Sequence, residues 1–283
     1  MNRVVAVIPA RIGSTRLPGK PLLRIGGAPM IEHVVRAATA AQLVQSVVVA
    51  TDDDEIAQAA TKAGAVAVMT ASELPTGTDR VAAAARQLNI DADVIVNVQG
   101  DEPLVDPAAI DLSAQMLLSH DAADIATISA PLPPDALLDP SKVKVVCGAH
   151  LEPSMANATM QPSTSRSALF FSRAPIGVDR TLLGQLLDPP EGADSMAVGG
   201  ASPPTSWAAR LHVGLYAYRP ASLQAFVALP PSRLESLESL EQMRALEAGM
   251  TIAVGEVEHA AWGVDTLDDL HQVEREWMRR RAI

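Results

Sequence analysis

Between Val4 and Val98, short apolar runs alternate with amphipathic stretches, and this alternation restricts the fold more than any other feature. Val4–Pro9 reads as a buried strand, Pro29–Gln42 as a helix and Ser46–Ala50 as a second strand. Asp53–Ala63 then reads as a helix, Ala65–Thr70 as a third strand, Asp79–Leu88 as a helix and Val94–Val98 as an unbroken apolar strand. Strands that lack polar alternation are buried on both faces, and strands joined through helices run parallel with right-handed crossovers. The pattern predicts a doubly wound α/β layer, in which ligands bind at the carboxyl ends of the strands.

The second half is less regular. Asp124–Pro131, Val143–Val146, Ala168–Ser172 and Leu211–Tyr218 read as strands, Leu234–Ala248 as a helix, Thr251–Val257 as a strand and Thr266–Arg280 as a closing helix. Leu151–Ser167 and Leu187–Thr205, the latter rich in Pro, Gly, Ser and Ala, read as loops. With no internal repeat, the expectation is one domain spanning residues 1–283, with a strand-rich insertion at about 125–220.

Charge and composition exclude several classes. The net charge of −11 and the aromatic content of 3% argue against a nucleic-acid binder, which needs a basic surface and stacking platforms. No run of apolar residues is long enough to span a membrane, no secretory signal pattern opens the chain, and Cys147 is the single cysteine. A cytoplasmic location is expected. The charge is nevertheless uneven: Arg3, Arg11, Arg16, Lys20 and Arg24 fall before the first acidic residue, Glu32. A concentrated cationic stretch in an acidic protein suggests a specific anion site or an ordinary basic loop, and charge alone does not separate them.

The segment from Ile8 to Pro21, IPARIGSTRLPGKP, follows the first strand and so lies at the ligand edge. Its Gly, Ser and Thr residues offer backbone N–H groups to phosphate oxygens, and Arg11, Arg16 and Lys20 add charge-assisted bonds. It has neither P-loop nor dinucleotide-binding spacing. VNVQGDEP, residues 96–103, ends the buried strand and sets Asp101 at the same edge, where a carboxylate can hold Mg²⁺ together with substrate phosphates. A turn or cap aspartate is the plainer reading of such a residue. In GVDTLDDL, residues 263–270, Thr266 and Asp269 form a predicted capping box, leaving Asp265 outside the helix and free for a metal; Asp265 as the cap itself is the alternative. TGTDR, residues 76–80, is a further loop before a helix, with Arg80 able to meet an anion.

Other positions are weaker on spacing alone. Glu235, Glu238, Glu241 and Gln242 read as the solvated face of the Leu234–Ala248 helix, and Arg173 and His212 as polar groups within apolar strands. The six histidines lack zinc-type spacing, and no nucleophile–base arrangement stands out. Phosphoryl-type transfer needs none if metal and positioning suffice.

Taken together, IPARIGSTRLPGKPL, ATDDDEIAQAA, TGTDR, VNVQGDEP, KVV, FFSRAPI, HVGLYAYR, LESLEQMRAL and GVDTLDDL resemble, in order and over most of the chain, the 3-deoxy-manno-octulosonate (Kdo) cytidylyltransferase family. The resemblance implies a Rossmann-like nucleotidyltransferase fold with a mostly parallel central sheet, a smaller strand-rich insertion forming the dimer region, and a homodimer. It implies an Mg²⁺-dependent enzyme that converts CTP and Kdo to CMP-Kdo and pyrophosphate for lipopolysaccharide synthesis. Carried over by motif, Arg11, Ser14 and Lys20 hold the triphosphate, Thr78 and Arg80 lie at the nucleotide, and Asp101 and Asp265 bind Mg²⁺. Lys20, Asp101 and Asp265 are then the catalytic set. Gln99, Arg173, His212, Tyr216, Glu235 and Gln242 line the sugar pocket, with Arg173 paired to the sugar carboxylate. The segments 147–167 and 181–210 are longer than the family usually has. Alternatives are a cytidylyltransferase for sialic acid or an amino variant of Kdo, a glycosyltransferase, or an inactive nucleotide-binding regulator.

Overall fold

The computed structural model describes residues 2–13, 17–152, 165–187 and 207–281. Most of the loop-like segments Leu151–Ser167 and Leu187–Thr205, and also Ser14, lie outside the described residues. The alternating first half folds as its pattern predicts. Strands β1 (Val4–Ala10), β4 (Val44–Thr51), β5 (Val66–Met69) and β6 (Val94–Asn97) run parallel, β4 and β6 flanking β1 and β5 lying outside β4. Helices α1 (Met30–Ala40), α2 (Asp54–Lys62) and α3 (Gly77–Gln87) connect them. A small hairpin, β2 (Arg24–Ile25) and β3 (Ala28–Pro29), precedes α1.

From β1 the chain moves outward through β4 to β5 and then returns to the other side of β1 as β6. The order therefore reverses between β1 and β6, and the loops leaving these two strands diverge to open a crevice at their carboxyl ends. Close contact at the crevice floor depends on Gly100: a Cβ there would come within 2.7 Å of the Pro9 carbonyl oxygen.

The remaining strands are β7 (Ile125–Ala130), β8 (Lys144–His150), β9 (Arg166–Ser172), β10 (Arg210–Tyr218) and β11 (Ile252–Glu256). All nine long strands form one sheet in the order β5-β4-β1-β6-β10-β7-β11-β9-β8. Here the structure departs from the expected mostly parallel sheet. β10 is antiparallel to both β6 and β7, β9 is antiparallel to β11 and β8, and in this half only β7 and β11 are parallel. The strands of the 125–220 region are thus built into the main sheet, two of them between β6 and β11. Sequence periodicity reports burial and not strand direction, so it does not reveal this insertion.

Two cores cover the sheet. On one face α1, α2 and α4 (Pro107–Ser119) bury Ile31, Val35, Ile56, Ile110 and Leu117; on the other α3, α6 (Pro220–Ala228) and α8 (Gln242–Glu247) bury Val81, Leu223, Phe226 and Met243. Helices α4, α5 (Arg180–Leu187) and α6 are not anticipated by the sequence pattern. In α4, Ile110, Ala114, Met116, Leu117 and Leu118 are buried around most of the helix, so no one-sided stripe marks it. Its start carries a local signal, with Asp106 as N-cap accepting from Ala108 N at 2.9 Å and Pro107 in the first turn.

The expected single helix 234–248 is two helices, α7 (Arg233–Glu238) and α8, because Ser239 adopts φ 53° and ends the first. Leu237 is consequently 70% exposed and does not continue the apolar stripe. The last helix, α9 (Leu267–Arg281), packs Val273 and Trp277 on the β2–β3 hairpin and the start of α1, with Ile25, Met30 and Leu17 in the same cluster. Trp277 takes the space above Gly26, and Glu274 accepts from Gly26 N at 3.1 Å. Among the described residues, no helix is long and apolar enough to cross a membrane.

Candidate active site

The crevice between the β1 and β6 loops is a cleft of about 360 Å³, lined among others by Arg11, Lys20, Arg80, Gln99, Asp101 and Asp265. They arrive from four separate sequence motifs, Arg11 and Lys20 from one and Gln99 and Asp101 from another. Lys20 opens the short 3₁₀ turn Lys20–Leu22, entered through Gly19 at φ 66°. Its Nζ donates to Asp101 Oδ2 at 2.7 Å, to Val264 O at 2.7 Å and to Asp265 Oδ1 at 3.1 Å. One cation therefore bridges two carboxylates that are 164 positions apart in the chain (265 minus 101). The bridge is reinforced by the main chain, since Val264 N donates to Asp101 O at 2.9 Å. Asp265 stays outside α9 because Asp269 Oδ2 accepts from Thr266 N at 2.8 Å and Thr266 Oγ1 accepts from Asp269 N at 3.2 Å, the predicted capping box.

The start of α3 also lines the cleft, through Thr76 and Gly77. Arg80, buried at 2% exposure, donates to Thr70 Oγ1 at 2.5 Å and to Asp52 Oδ2 at 3.3 Å. Asp52 Oδ1 also accepts from Ile12 N at 3.1 Å. Asp52 thus ties the loop after β1 to the guanidinium, a role that spacing in the sequence does not assign. The N-cap itself is Asp53, which accepts from Glu55 N and Ile56 N. Thr78 is buried and donates to Glu241 Oε2 at 3.1 Å, while Thr76 Oγ1 donates to Glu241 Oε1 at 2.9 Å. Glu241, placed on the solvated face by spacing, instead clamps this helix start. Burial pushes its carboxyl above the ordinary range.

The expected sugar residues divide. Gln99 lines the cleft. His212 and Tyr216 stand on β10, where Tyr216 is paired with Asn97 of β6, so the earlier part of β10 runs past the carboxyl end of β6 beside the cleft. Their rings lie 5.4 Å apart, and His212 packs edge-on to Phe171 at 5.0 Å. Burial lowers the His212 imidazole to about 3 and raises the Tyr216 hydroxyl well above its ordinary value. Between them Gly214 faces Gln99 and Glu102. Nothing in the sequence pattern singles out Glu102, next to Asp101 in the same turn. Its Oε2 is buried without a hydrogen-bond partner among the described residues, and burial, with the Asp101 charge adding, pushes it up to about 8. Gln242 is also buried, and its Nε2 lacks a partner among the described residues.

Of the six expected sugar residues only Gln99 is among the described residues that line the cleft, and Arg173 and Glu235 are held by other parts of the protein. The Arg173 guanidinium donates to three carbonyls, Glu238 O, Pro140 O and Ser239 O. Glu235 closes a capping box with Ser232 and takes two bonds from Arg244, at 2.8 and 2.5 Å. In this conformation both bind protein groups.

A reversal-point crevice that gathers three cations, a helix N-terminus and two edge carboxylates defines an α/β protein of the nucleotide-handling class. Comparison with known proteins narrows the class. The cytidylyltransferase family matches residues 5–252. The 3-deoxy-manno-octulosonate cytidylyltransferase of Anaeromyxobacter sp. (strain Fw109-5) is 44% identical over 270 residues, covering 95% of each chain. That of Acidobacterium capsulatum is 40% identical over 279 residues, covering 98% of each. Among solved structures, CMP:2-keto-3-deoxy-manno-octonic acid synthetase complexed with CTP aligns with a TM-score of 0.81 at 36% identity, covering 99% of this chain and 100% of that one. A nucleotidyl transferase from Methanothermobacter thermautotroptrophicus, at 15% identity and a TM-score of 0.60, shares the fold. The chain belongs to the cytidylyltransferase family, and within it to the 3-deoxy-manno-octulosonate cytidylyltransferases.

Proposed function

We propose that the protein transfers CMP from CTP to the anomeric hydroxyl of Kdo, releasing pyrophosphate, and that it does so with Mg²⁺. The observation that carries this reading is the cleft lined together by the cations Arg11, Lys20 and Arg80 and the carboxylates Asp101 and Asp265. A triphosphate needs cations on its oxygens, and Arg11, Lys20 and the N–H groups at the start of α3 meet them. Arg80, held by Asp52 and Thr70, lies at the nucleotide, and Ser14 belongs to the same loop as Arg11.

The donor set fits Mg²⁺. Asp101 and Asp265 are hard oxygen ligands already converging on one ammonium, and among the described residues no three His, Cys, Asp or Glu side chains group as a closed metal cage. Two carboxylates completed by substrate oxygens are how Mg²⁺ is usually held. When bound there, the metal supplies charge neutralisation on the phosphates and a lowered pKa for a coordinated hydroxyl. Lys20, which holds both carboxylates in the substrate-free site, would turn its ammonium to the triphosphate and steady the departing pyrophosphate. Gln99, His212, Tyr216 and Gln242 orient the sugar, while Arg173 and Glu235 reach it only by giving up their present partners. The same reading makes the enzyme a cytoplasmic homodimer of single-domain subunits that serves lipopolysaccharide synthesis.

Pyrophosphate release is the test, with CTP and Mg²⁺, with and without Kdo, and with UTP, ATP and sialic acid as controls. Release requiring both CTP and Kdo and abolished by EDTA is expected. Turnover only with another acidic sugar would transfer the reading to that sugar, and CTP binding without turnover would favour the regulator. Asp101→Ala and Asp265→Ala are each expected to abolish turnover with the fold intact by circular dichroism. Near-wild-type rates in either would remove that residue from the metal site.

A further inference from the structure

The register of β10 against β7 shifts between Val213 and Tyr216, so two residues of β10, Gly214 and Leu215, bulge out of the ladder. A bulge leaves ladder carbonyls to be satisfied by other groups. Here the Thr127 hydroxyl fills the gap: Thr127 Oγ1 lies 2.9 Å from Leu215 O and 3.2 Å from Val213 O. The same oxygen lies 3.1 Å from His212 Nε2.

These three distances decide a tautomer. A hydroxyl has one proton to donate and two lone pairs with which to accept. Both carbonyl oxygens can only accept, so the Thr127 proton is directed at them. The contact to His212 is then a hydrogen bond only if Nε2 carries a proton and Thr127 Oγ1 accepts it. The ring nitrogen on the other side, Nδ1, has no hydrogen-bond partner among the described residues. Burial keeps the ring neutral at physiological pH, so protonation of both nitrogens does not compete.

We propose that Thr127 is a positioning residue that locks His212 as the Nε2–H tautomer, leaving Nδ1 as a bare acceptor for a hydroxyl of the sugar. This rests on the reading of His212 as a sugar-side residue and deepens it. A bare Nδ1 accepts from a hydroxyl and repels a carboxylate, so His212 selects the hydroxylated part of an acidic sugar and leaves the carboxylate to cationic or N–H donors. Identity at this position is thereby set from β7, a strand with no residue lining the cleft.

The first measurement is ¹⁵N-resolved NMR of the imidazoles in the substrate-free wild type at neutral pH, with the His212 signals assigned by their loss in His212→Gln. A protonated Nε2 and an unprotonated Nδ1 are expected. A protonated Nδ1, or an imidazolium, overturns the proposal. In Thr127→Val, which keeps the shape and removes the hydroxyl, the ring is expected to populate both tautomers. The KM for Kdo should then rise about 5- to 30-fold, the range expected for one lost or mismatched hydrogen bond, with the KM for CTP unchanged. Thr127→Ser is expected to restore both readouts, separating the lock from general damage to the sheet. An unchanged tautomer and unchanged sugar KM in Thr127→Val overturn the proposal. The spectrum needs no substrate, so an Nε2–H ring in an enzyme that ignores Kdo would refute the sugar reading while upholding the lock.

Discussion

Replacing Lys20 with methionine isolates the ammonium from its stem, because the apolar chain keeps much of its packing. In the substrate-free protein the loss is modest. Asp101 and Asp265 are 37% and 54% exposed, so solvent screens both ion pairs. Exposed pairs contribute about 0.5–1 kcal/mol each. The hydrogen bond from Nζ to Val264 O adds about 1 kcal/mol. Together these come to roughly 2–3 kcal/mol, which for a chain of this size lowers Tm by about 3–5 °C. Catalysis should suffer far more. Removing a charged donor from developing charge costs about 10²–10³ in rate, and on the proposed reading Lys20 also binds the triphosphate. The expected result is a folded protein with kcat/KM for CTP reduced by about 10³-fold or more, compared by calorimetry and pyrophosphate release on the same preparation. Activity within tenfold of wild type would refute the placement of Lys20 at the phosphates. A collapse in Tm beyond about 15 °C would refute the screening argument instead.

Two further outcomes follow from buried carboxyls. Glu241→Ala removes the acceptor of Thr76 and Thr78 at the start of α3, so the KM for CTP should rise roughly tenfold with little change in the KM for Kdo, as measured by initial rates. An unchanged KM for CTP would show that the α3 start holds its shape without the clamp. Glu102 titrates at about 8 in the fold against an ordinary 4.5, so the folded state binds the extra proton across that window. Stability contributed by the neutral carboxyl is full below about 4.5 and is lost as pH rises toward about 8. Glu102→Gln should flatten this slope in urea titrations run from pH 5 to pH 9, without Mg²⁺. An identical slope in the variant would assign the pH dependence to other groups.

Much of the cleft is local in the chain and could be read there. The cationic run Arg11–Lys20 follows a buried strand, Asp101 ends another, and the Thr266–Asp269 pair leaves Asp265 outside its helix, so short-range pattern and capping chemistry place all three at one edge. Parallel β1, β4, β5 and β6 follow from the same alternation, because a helix between two strands returns the chain in the same direction.

What lay beyond the sequence is whatever depends on partners distant along the chain. Strand direction in the second half, with β10 antiparallel between β6 and β7, leaves no mark on hydrophobic periodicity. Asp52 meets Arg80, Glu241 meets Thr76 and Glu238 meets Ser172 only after folding. Spacing makes Glu241 a solvated residue; the turn at Ser239 and the approach of α3 make it a buried clamp. Thr127 is one more β-branched residue in an apolar strand until the bulge in β10 brings two carbonyls and an imidazole to its hydroxyl. The sequence by itself determined which groups can hold a triphosphate, since that chemistry is carried by residue types and short spacings. Tertiary structure alone decided which of the remaining polar groups line the cleft and which hold the protein together, because a side chain's role is set by the neighbour that satisfies it.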